Sequence, residues 1–334
     1  MNLEKFEPHI LCMHERGEYY NVVKKSNIPV HIGTYTTSMR PIFEGLIKCW
    51  RISRKLKAIG AEIIHSFHYS ADYSEALAAR LAGIRWIYTK KNMNWGGSSR
   101  NAWNLRSFLA SRIVAQNSSM INTFFKGSHK VVLIPRGLNE QEFLSIEREI
   151  STDGVFRLLT VANLTPVKRV ETILFALSKL KASGIFITFH IVGDNGTDYG
   201  RYLEQQVKFL DISDVVEFFG KQFNPKDFYR KADVFILSSL KESSPVALLE
   251  AMAAGVPVLS SRTAGALEIM GDFEDQLFLI DDVNFLIDRI LWIFQLTTEE
   301  KAQLISRQRE RILTHHTIAL EVERHEELYR TITR

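Results

Sequence analysis

One stretch of the chain, residues 238–261, constrains the fold more than any other, because it holds the signals for a strand end, a helix and the next strand. Ser244 and Pro245 predict the start of the helix, since serine is a good N-cap and proline suits the first helical position. Gly255 predicts its end, and Pro257 prevents the helix from resuming. The stretch therefore predicts a β-α-β unit whose helix begins at about Pro245.

Two carboxylates flank the start of this helix. Glu242 lies in the loop before it, and Glu250 lies about one and a half turns inside it. Free N–H groups and the helix dipole favour an anion such as a diphosphate at this end, so both carboxylates can reach one ligand. The alternative, which holds for most pairs of glutamates, is a surface residue plus a helix residue paired with a neighbouring cation.

The residues around the two glutamates favour a ligand site. Seven residues separate the two, with Ser-Ser-Pro between them and Ala-Met-Ala-Ala-Gly-Val-Pro-Val behind them. This pattern resembles the signature of the retaining glycosyltransferases of family 4, and further resemblance extends over nearly the whole chain. It implies an α/β protein of the GT-B fold, with two Rossmann-like, doubly wound domains facing a cleft.

The length and the order of elements also indicate two domains. A chain of 334 residues is more than one core usually supports. Strand and helix patterns alternate in both halves, as in doubly wound parallel sheets. The resemblance implies an acceptor-side domain over residues 1–150, a nucleotide-sugar-binding domain over residues 151–315, and a C-terminal helix over residues 316–334 that crosses back to the first domain.

The resemblance raises one expectation about the first domain. Family members begin with a strand, a glycine-rich loop and a helix before the segment equivalent to Pro8–Met13, and we see no such pattern ahead of that segment. We therefore expect this first βα unit to be missing. Its strand would be central in a Rossmann-like order, so the strands at Ile10–Cys12 and Ile63–Ile64 are expected to lack a partner.

The resemblance also implies the catalytic residues. Glu250 would accept hydrogen bonds from the ribose hydroxyls, and Glu242 would approach the donor sugar. Lys168 would hold the diphosphate, so Glu242 and Lys168 are the expected catalytic pair. The alternative for Lys168 is a surface lysine in a turn, but its place at the carboxyl edge of a predicted strand favours a site. Asn163 stands where the family has an arginine.

Other donor-side residues are expected to act through backbone or small polar groups. The family receives the nucleotide base in the loop that corresponds to Gly220 and Lys221, and a glycine turn follows the preceding strand. The expected donor-binding residues are Glu250, Asn163, Ser243, Ser244, Pro245, Gly193, Gly220 and Lys221. No Asp-x-Asp pair suited to a nucleotide-bound Mg²⁺ or Mn²⁺ stands in the expected setting, so we expect no cofactor and no metal.

Candidate acceptor-side residues follow two strands of the first domain. His65 and His68 stand at the end of a predicted strand, where open α/β sheets keep ligand contacts. They lack a third ligand for zinc, so we interpret them as polar loop residues or acceptor contacts. Lys91 stands where many family members have a histidine near the transferred sugar.

The charge of the chain is unevenly distributed. Residues 1–150 contain 21 Lys and Arg against 12 Asp and Glu, whereas residues 151–334 contain 21 against 26. The partners of the first half are therefore expected to be anionic. The predicted helix Pro41–Ile59 sets Leu46, Ile47, Trp50, Leu56 and Ile59 on one side and Lys48, Arg51, Arg54, Lys55 and Lys57 around them. Such a helix either rests on anionic lipid or is a core helix with a solvated face.

These features together predict a function. The chain is expected to move a sugar from a UDP- or GDP-sugar to a glycan, phosphorylated or lipid-linked acceptor with retention, in bacterial polysaccharide and cell-envelope biosynthesis. Only two cysteines occur, which favours the reducing cytoplasm. Peripheral contact with the inner face of the membrane is left open, and no nucleic-acid partner is expected.

Two other functions compete with this one. A truncated or non-catalytic nucleotide-sugar-binding protein of the GT-B fold is the first, because several family positions are altered. An NAD-type dehydrogenase is the second, because a Rossmann topology alone permits it. The sequence disfavours the dehydrogenase, since no Gly-x-Gly-x-x-Gly follows a strand with an acidic residue about twenty positions on.

Overall fold

The computed structural model describes residues 1–16, 18–67, 72–95, 99–149, 154–185, 187–280 and 282–333. The chain divides into two compact units. Unit 1 comprises Met1–Ala115, Ile121–Ile134 and Val322–Arg334, and unit 2 comprises Gln116–Met120 and Pro135–Glu321. The units change at residues 134/135 and 321/322, whereas the sequence placed its domain changes at residues 150 and 316. The functional domain assignment stays a prediction.

Strands and helices alternate along the described chain. The strands are β1 (Ile10–Cys12), β2 (Val30–Ile32), β3 (Ile63–Ser66), β4 (Arg85–Lys90), β5 (Arg112–Ala115), β6 (Val131–Leu133), β7 (Phe156–Val161), β8 (Ile187–Val192), β9 (Val216–Phe218), β10 (Val234–Leu237), β11 (Val258–Ser261) and β12 (Leu277–Phe278). The helices in the first part are α1 (Glu18–Lys24), α2 (Ile42–Ile59), α3 (Ser74–Leu81), α4 (Arg100–Leu109), α5 (Ser118–Phe124) and α6 (Gln141–Leu144). Those that follow are α7 (Glu171–Ala182), α8 (Asp198–Phe209), α9 (Lys226–Lys231), α10 (Val246–Ala253), α11 (Ala264–Met270), α12 (Val283–Gln295), α13 (Thr298–His315) and α14 (Ile318–Thr333).

Unit 2 is built on one six-stranded parallel sheet with the order β12-β11-β10-β7-β8-β9. Every residue of β10 and β11 is buried. Fully buried strands are typical of parallel sheets that helices cover on both faces. The strand order reverses between β7 and β10, which makes this pair the topological switch point of a doubly wound sheet.

Unit 1 contains two separate parallel sheets. Strands β1 and β2 form a pair, and β3-β4-β5-β6 form a four-stranded sheet around a core that includes Trp86, Tyr88 and Trp103. Among the described strands, β1 pairs only with β2 and β3 pairs only with β4. A cavity of about 350 Å³ is lined by residues of both edge strands, including Leu11, Ile63 and Ile64. Strands β1 and β3 thus border this cavity and do not pair with each other.

Several predicted boundaries are wrong. The polar and charged composition of residues 140–153 predicts a linker, but this stretch contains the short helix α6, and residues 150–153 lie outside the described chain. The sequence pattern predicts a helix from Tyr202 to Leu210, whereas α8 begins one turn earlier, at Asp198, because the Thr197 side chain caps it by accepting from the Gly200 N–H. Strand β12 was not predicted, since two residues are too few to show a period.

Helix α2 buries a different face from the predicted one. The buried residues of α2 are Gly45, Cys49, Ile52, Ser53 and Leu56. A Cβ added at Gly45 would lie 2.8 Å from the Met39 Cα and 3.0 Å from its sulfur. Of the five residues that the sequence set on one apolar side, Leu56 is buried, whereas Leu46, Ile47 and Trp50 are exposed. The small residues on the buried face let α2 lie close to α3, whose three alanines at 76, 78 and 79 are fully buried. Within the described residues no helix is both long and apolar enough to span a bilayer.

Candidate active site

The predicted catalytic pair lies at the switch point of unit 2. Lys168 ends a short 3₁₀ turn, Pro166–Lys168, that follows β7, and Glu242 lies in the loop that follows β10. Because β7 and β10 are parallel neighbours, their carboxyl ends open at the same edge of the sheet. In open α/β sheets this is the place where ligands bind.

Hydrogen bonds to backbone carbonyls hold these two loops together. The Ser238 hydroxyl donates to the Lys168 carbonyl at 2.9 Å, and the Leu240 N–H donates to the Val167 carbonyl at 2.8 Å. Ser261, at the end of β11, donates from its hydroxyl to the Ser239 carbonyl at 2.6 Å. The loops after three neighbouring strands therefore form one rigid edge.

Lys168 and Glu242 form an ion pair on this edge. Lys168 Nζ lies 2.6 Å from Glu242 Oε1, and the Ser239 hydroxyl donates to the same oxygen at 2.7 Å. The two side chains are only 21% and 13% exposed, so the pair is screened less than a surface pair. The structure brings the two residues together although 74 positions separate them.

Glu250 has a buried partner that the sequence did not reveal. The Tyr229 hydroxyl donates to Glu250 Oε2 at 2.8 Å and is also 3.3 Å from the Ala247 carbonyl. Burial raises the pKa of Glu250, while the Tyr229 hydrogen bond acts in the opposite direction. Burial also raises the pKa of Tyr229 well above its ordinary value, so this residue stays a donor. Tyr229 thus fixes one carboxylate oxygen of Glu250.

The start of helix α10 differs from the prediction by one residue. Helix α10 begins at Val246, and Pro245 occupies the N-cap position with no side-chain cap, so the predicted Ser244 cap is wrong. Gly265 lies directly under the preceding loop, where a Cβ would come within 2.6 Å of the Ser243 carbonyl carbon. The Asn117 amide donates to the Ser243 carbonyl at 2.8 Å. The loop before the helix is therefore held from two sides.

The predicted donor residues after β7, β8 and β9 lie on the same edge. The Gly193 N–H donates to the Gly220 carbonyl at 2.9 Å, and Gly220 has a positive φ of 65°. A Cβ at Gly193 would lie 2.1 Å from the Ala162 carbonyl oxygen, so only glycine fits here. The N–H of Gly193 is thus already used within the protein. Asn163 and Lys221 are exposed at the edge.

Three side chains of this site were missed in the sequence, namely Tyr229, Ser239 and Asn117. Ser239 carried a weak signal, because two serines directly after a fully buried strand indicate a polar edge. Tyr229 and Asn117 carried none, since each acts on a residue far away in the chain.

In unit 1, His65 is a residue of strand β3, so the interpretation as a loop residue is wrong. Its Nε2 lies 2.8 Å from the Thr89 hydroxyl and its Nδ1 lies 2.7 Å from the Tyr329 hydroxyl. Burial lowers the pKa of His65 to about 3, and His325 and Lys91 act in the same direction. Both ring nitrogens are occupied by partners within the protein, so the neutral ring supports the fold at this position.

Lys90 ends strand β4 and Lys91 follows it, and the structure gives the two lysines different environments. Lys91 places its Nζ 5.5 Å from the ring of Phe67. Lys90 is buried, donates to Asn92 Oδ1 at 2.7 Å, and has a pKa lowered to about 8 by burial. The sequence singled out Lys91 and missed Lys90. His68 lies outside the described residues.

No group of three His, Cys, Asp or Glu residues that could hold a metal ion is found in the described part of the chain. The edge of unit 2 offers Lys168, Glu242 and the Ser239 hydroxyl in its loops, with Glu250 nearby on helix α10. These groups can bind a phosphate through Lys168 and sugar hydroxyls through Glu242 and Glu250.

Two family models match the chain. Residues 144–311 match "Glycosyl transferases group 1", and residues 3–142 match "Glycosyltransferase Family 4". The first match contains all the predicted donor-side residues, and the second contains the predicted acceptor-side residues.

Individual relatives agree with the family models. The chain is 33% identical over 166 residues to a "Putative colanic acid biosynthesis glycosyltransferase WcaL" of Escherichia coli strain K12, which covers 46% of this chain and 40% of that protein. It is 28% identical over 266 residues to the "Amylovoran biosynthesis glycosyltransferase AmsK" of Erwinia amylovora, which covers 72% of this chain and 62% of that protein. The chain thus spans about two fifths to three fifths of the length of these two relatives.

Solved structures share the fold at low sequence identity. A glycosyltransferase from Rickettsia africae superposes with a TM-score of 0.85 at 18% identity, covering 98% of this chain and 90% of the other. HepE from Anabaena, solved with UDP and glucose, superposes with a TM-score of 0.79 at 19% identity, covering 96% and 91%. The predicted GT-B fold with two Rossmann-like domains is confirmed. From the family models and this fold, the chain belongs to the glycosyl transferases group 1 family, within glycosyltransferase family 4.

Proposed function

We propose that this chain transfers a sugar from a nucleoside-diphosphate sugar to an acceptor hydroxyl with retention of the anomeric configuration. The observation that carries the proposal is the Lys168–Glu242 pair at the switch point of unit 2, with Glu250 on the helix that follows. In this reaction the bond from the anomeric carbon to the diphosphate breaks, and a bond to the acceptor oxygen forms on the same face. The acceptor proton leaves with the departing diphosphate.

Lys168 would stabilise the departing diphosphate. Before the donor binds, Glu242 neutralises this lysine at 2.6 Å. A diphosphate carries more negative charge than one carboxylate, so it would compete with Glu242 for the ammonium group. Glu242, still held by Ser239, would then face the sugar hydroxyls. The donor would in this way convert a resting ion pair into a site that binds phosphate and sugar separately.

Glu250 would bind the ribose. One of its oxygens accepts from the Tyr229 hydroxyl at 2.8 Å, which would hold the carboxylate in one orientation. A carboxylate oriented in this way can accept from two neighbouring hydroxyls. HepE was solved with UDP, and this supports a uridine nucleotide as the first donor to test. Metal independence of the transfer is part of the proposal.

The acceptor would be a glycan that carries phosphate or a lipid link. Residues 1–150 contain 21 basic against 12 acidic side chains, which favours an anionic partner. WcaL and AmsK are named for the biosynthesis of colanic acid and amylovoran, which supports a polysaccharide product. Action in the cytoplasm, beside the inner face of the cell membrane, is the setting that a lipid-linked acceptor would require.

A second candidate is a nucleotide-sugar-binding protein without transfer activity. The uncharged Asn163, exposed on the same edge as Lys168, favours it, because one of the two expected phosphate-binding cations is absent. One donor of this kind is commonly worth about a hundredfold to a thousandfold in rate. The two candidates differ in turnover and not in nucleotide binding.

Calorimetry with UDP and GDP, followed by a transfer assay with UDP- and GDP-sugars, would test both candidates. We expect one nucleotide to bind, and Lys168→Ala to lower turnover by about a hundredfold to a thousandfold. Lys208→Ala, an exposed lysine on α8, is the matched control and should leave turnover unchanged. Nucleotide binding without sugar release to any acceptor or to water would favour the second candidate. Failure to bind either nucleotide would contradict both.

A further inference from the structure

The exposed side of helix α2 carries the densest group of apolar side chains on unit 1. Ile42 is 67% exposed, Phe43 75% and Trp50 56%, with Leu46 and Ile47 between them. We call these five residues the apolar face of α2. At 100° per residue they span an arc of about 140° on one side of the helix. The buried Cys49 and Ser53 adjoin one edge of this arc, beside Ile42, and the buried Gly45 and Ile52 lie outside it.

This apolar face is unusual because the helix already has a complete buried side. Single exposed apolar residues are common on proteins, but five on one arc form a patch of the kind that marks an interaction site. Packing inside unit 1 does not account for them, since α2 packs into the core that contains Ala78 of α3 through the buried Cys49, Ile52 and Leu56. The patch is therefore available to a partner outside the described chain.

Basic side chains continue the same side of the helix. Arg54 and Lys57 lie on the arc of the apolar face, one and two turns beyond Trp50, and Arg51 and Lys55 lie about 40° and 80° beyond its edge at Ile47. The Arg54 guanidinium lies 5.9 Å from the centre of the Trp50 ring. Lys48 is the exception, because it pairs with Glu44 at 3.6 Å. An apolar patch bordered by four exposed cations is complementary to a partner that has an apolar layer beneath an anionic surface.

We propose that α2 docks unit 1 on an anionic lipid bilayer, with its apolar face inserted among the acyl chains and Arg51, Arg54 and Lys57 on the headgroups. Helices that lie in the membrane interface have this combination of aromatic and aliphatic residues on one face and Lys or Arg beside it. Long basic side chains can bury their stems and keep their charges at headgroup level. The inference deepens the proposed function, since it would hold the enzyme where a lipid-linked acceptor lies.

Vesicle sedimentation tests this inference without any sugar transfer. The full chain is mixed with vesicles of phosphatidylcholine alone, or of phosphatidylcholine and phosphatidylglycerol in equal parts. We expect binding to the anionic vesicles that weakens as salt rises, because exposed charges are screened over about 8 Å at physiological salt. The double variant Phe43→Ser, Trp50→Ser should bind at least about tenfold more weakly, since each side chain would lose its burial in the bilayer.

Control variants distinguish binding by the apolar face of α2 from non-specific hydrophobic binding, and they measure the contribution of the basic residues. Phe209→Ser, which removes an 82% exposed phenylalanine of unit 2, should bind as the unaltered chain does. Arg51→Gln with Arg54→Gln should weaken binding to anionic vesicles by about tenfold or more, because each basic residue near such a surface contributes about fivefold. Circular dichroism would confirm that each variant is folded.

Trp50 offers a direct readout of insertion. Brominated acyl chains should quench the fluorescence of the vesicle-bound chain, and Trp50→Phe should remove most of that quenching while preserving binding. The inference is overturned by absence of binding to every vesicle, by equal binding of the Phe43→Ser, Trp50→Ser variant, or by a dimer that this variant dissociates without any vesicle binding. None of these outcomes depends on whether the chain transfers a sugar.

Discussion

The two units differ in how completely their strands are paired. In unit 2 one ladder of six parallel strands runs without interruption, and β10 and β11 are buried along their whole length. In unit 1 the strands form two separate sheets, and no residue of β1 is fully buried. Because neighbouring strands are paired, the loops after β7, β10 and β11 lie close enough to hydrogen-bond to one another. The proposed donor site lies at this edge of unit 2.

Unit 1 has features that suit contact with other molecules. Its edge strands line a cavity, its helix α2 exposes an apolar face, and its part of the sequence holds most of the net positive charge. Unit 2 thus buries its apolar residues in a closely packed core, whereas unit 1 leaves apolar and basic groups at its surface. If this contrast is correct, substitutions in the two units should differ in predictable ways.

The largest expected effect comes from close packing in unit 2. Gly193→Ala would place a methyl group 2.1 Å from the Ala162 carbonyl oxygen. Because this oxygen belongs to the backbone, the clash can be relieved only if the main chain shifts. We expect the free energy of unfolding to fall by about 4 kcal/mol in urea denaturation. The control is Gly33→Ala in unit 1, where a Cβ meets no atom within 4 Å. Equal stability of the two variants would break the comparison.

The next effect concerns acid stability of unit 1. Burial lowers the pKa of His65 to about 3, while the unfolded residue titrates near its ordinary 6.5. Between these values the unfolded chain binds the extra proton, so the free energy of unfolding falls as the pH falls from 6.5 toward 3. The loss by pH 4 should be about 3 kcal/mol.

His65→Gln should remove most of this pH dependence, because glutamine does not titrate. Tryptophan fluorescence reports mainly on unit 1, since Trp50, Trp86, Trp95 and Trp103 all lie there. The acid transition followed by fluorescence should therefore move to lower pH in this variant. An unchanged slope of stability with pH would show that His65 is not the titrating group.

A smaller effect is expected from Tyr229→Phe in unit 2. Removal of the hydroxyl leaves Glu250 Oε2 without its buried donor, which should cost about 1–2 kcal/mol of stability. The Tyr229 hydrogen bond lowers the pKa of Glu250, so its loss should raise that pKa further. If the ionised carboxylate binds ribose, affinity for the nucleotide rises with pH, and the midpoint should move to higher pH in the variant.

Calorimetry with UDP across the pH range would measure this shift. Tyr202→Phe, a half-exposed tyrosine of the same unit, is the matched control and should leave the profile in place. A purely structural role for Tyr229 would lower stability and leave the pH profile of binding unmoved.

The smallest effect should be the same in both units. Ser99 caps α4 in unit 1 by accepting from the Ala102 N–H, and Thr197 caps α8 in unit 2 by accepting from the Gly200 N–H. Alanine at either position should cost about 1 kcal/mol, because a helix cap is a local interaction. Urea denaturation would reveal it. A much larger loss in one unit would mean that the cap also supports tertiary contacts there.

Much of the fold was predictable because the strands of unit 2 are buried on both faces. Strand β10 appears in the sequence as a continuous apolar run, and β7 as a mainly apolar run interrupted by Arg157 and Thr160. Helix α2 shows the limit of such reasoning. The sequence grouped Leu56 with Leu46, Ile47 and Trp50, yet Leu56 is buried and the other three are exposed, because apolar residues occur all round the helix and only packing decided which of them are buried.

The sequence by itself determined the β-α-β unit around residues 238–261, the alternation of elements, and the family resemblance that named Glu242, Glu250 and Lys168. These depend on local signals, since caps, turns and buried runs act over a few residues. The tertiary structure decided which groups meet. Lys168 meets Glu242 across 74 positions, because the parallel neighbours β7 and β10 bring the loops that follow them to one edge. Tyr229 on α9 meets Glu250 on α10 across 21 positions. No local pattern encodes such a pairing, since strand order and side-chain burial are properties of the folded chain.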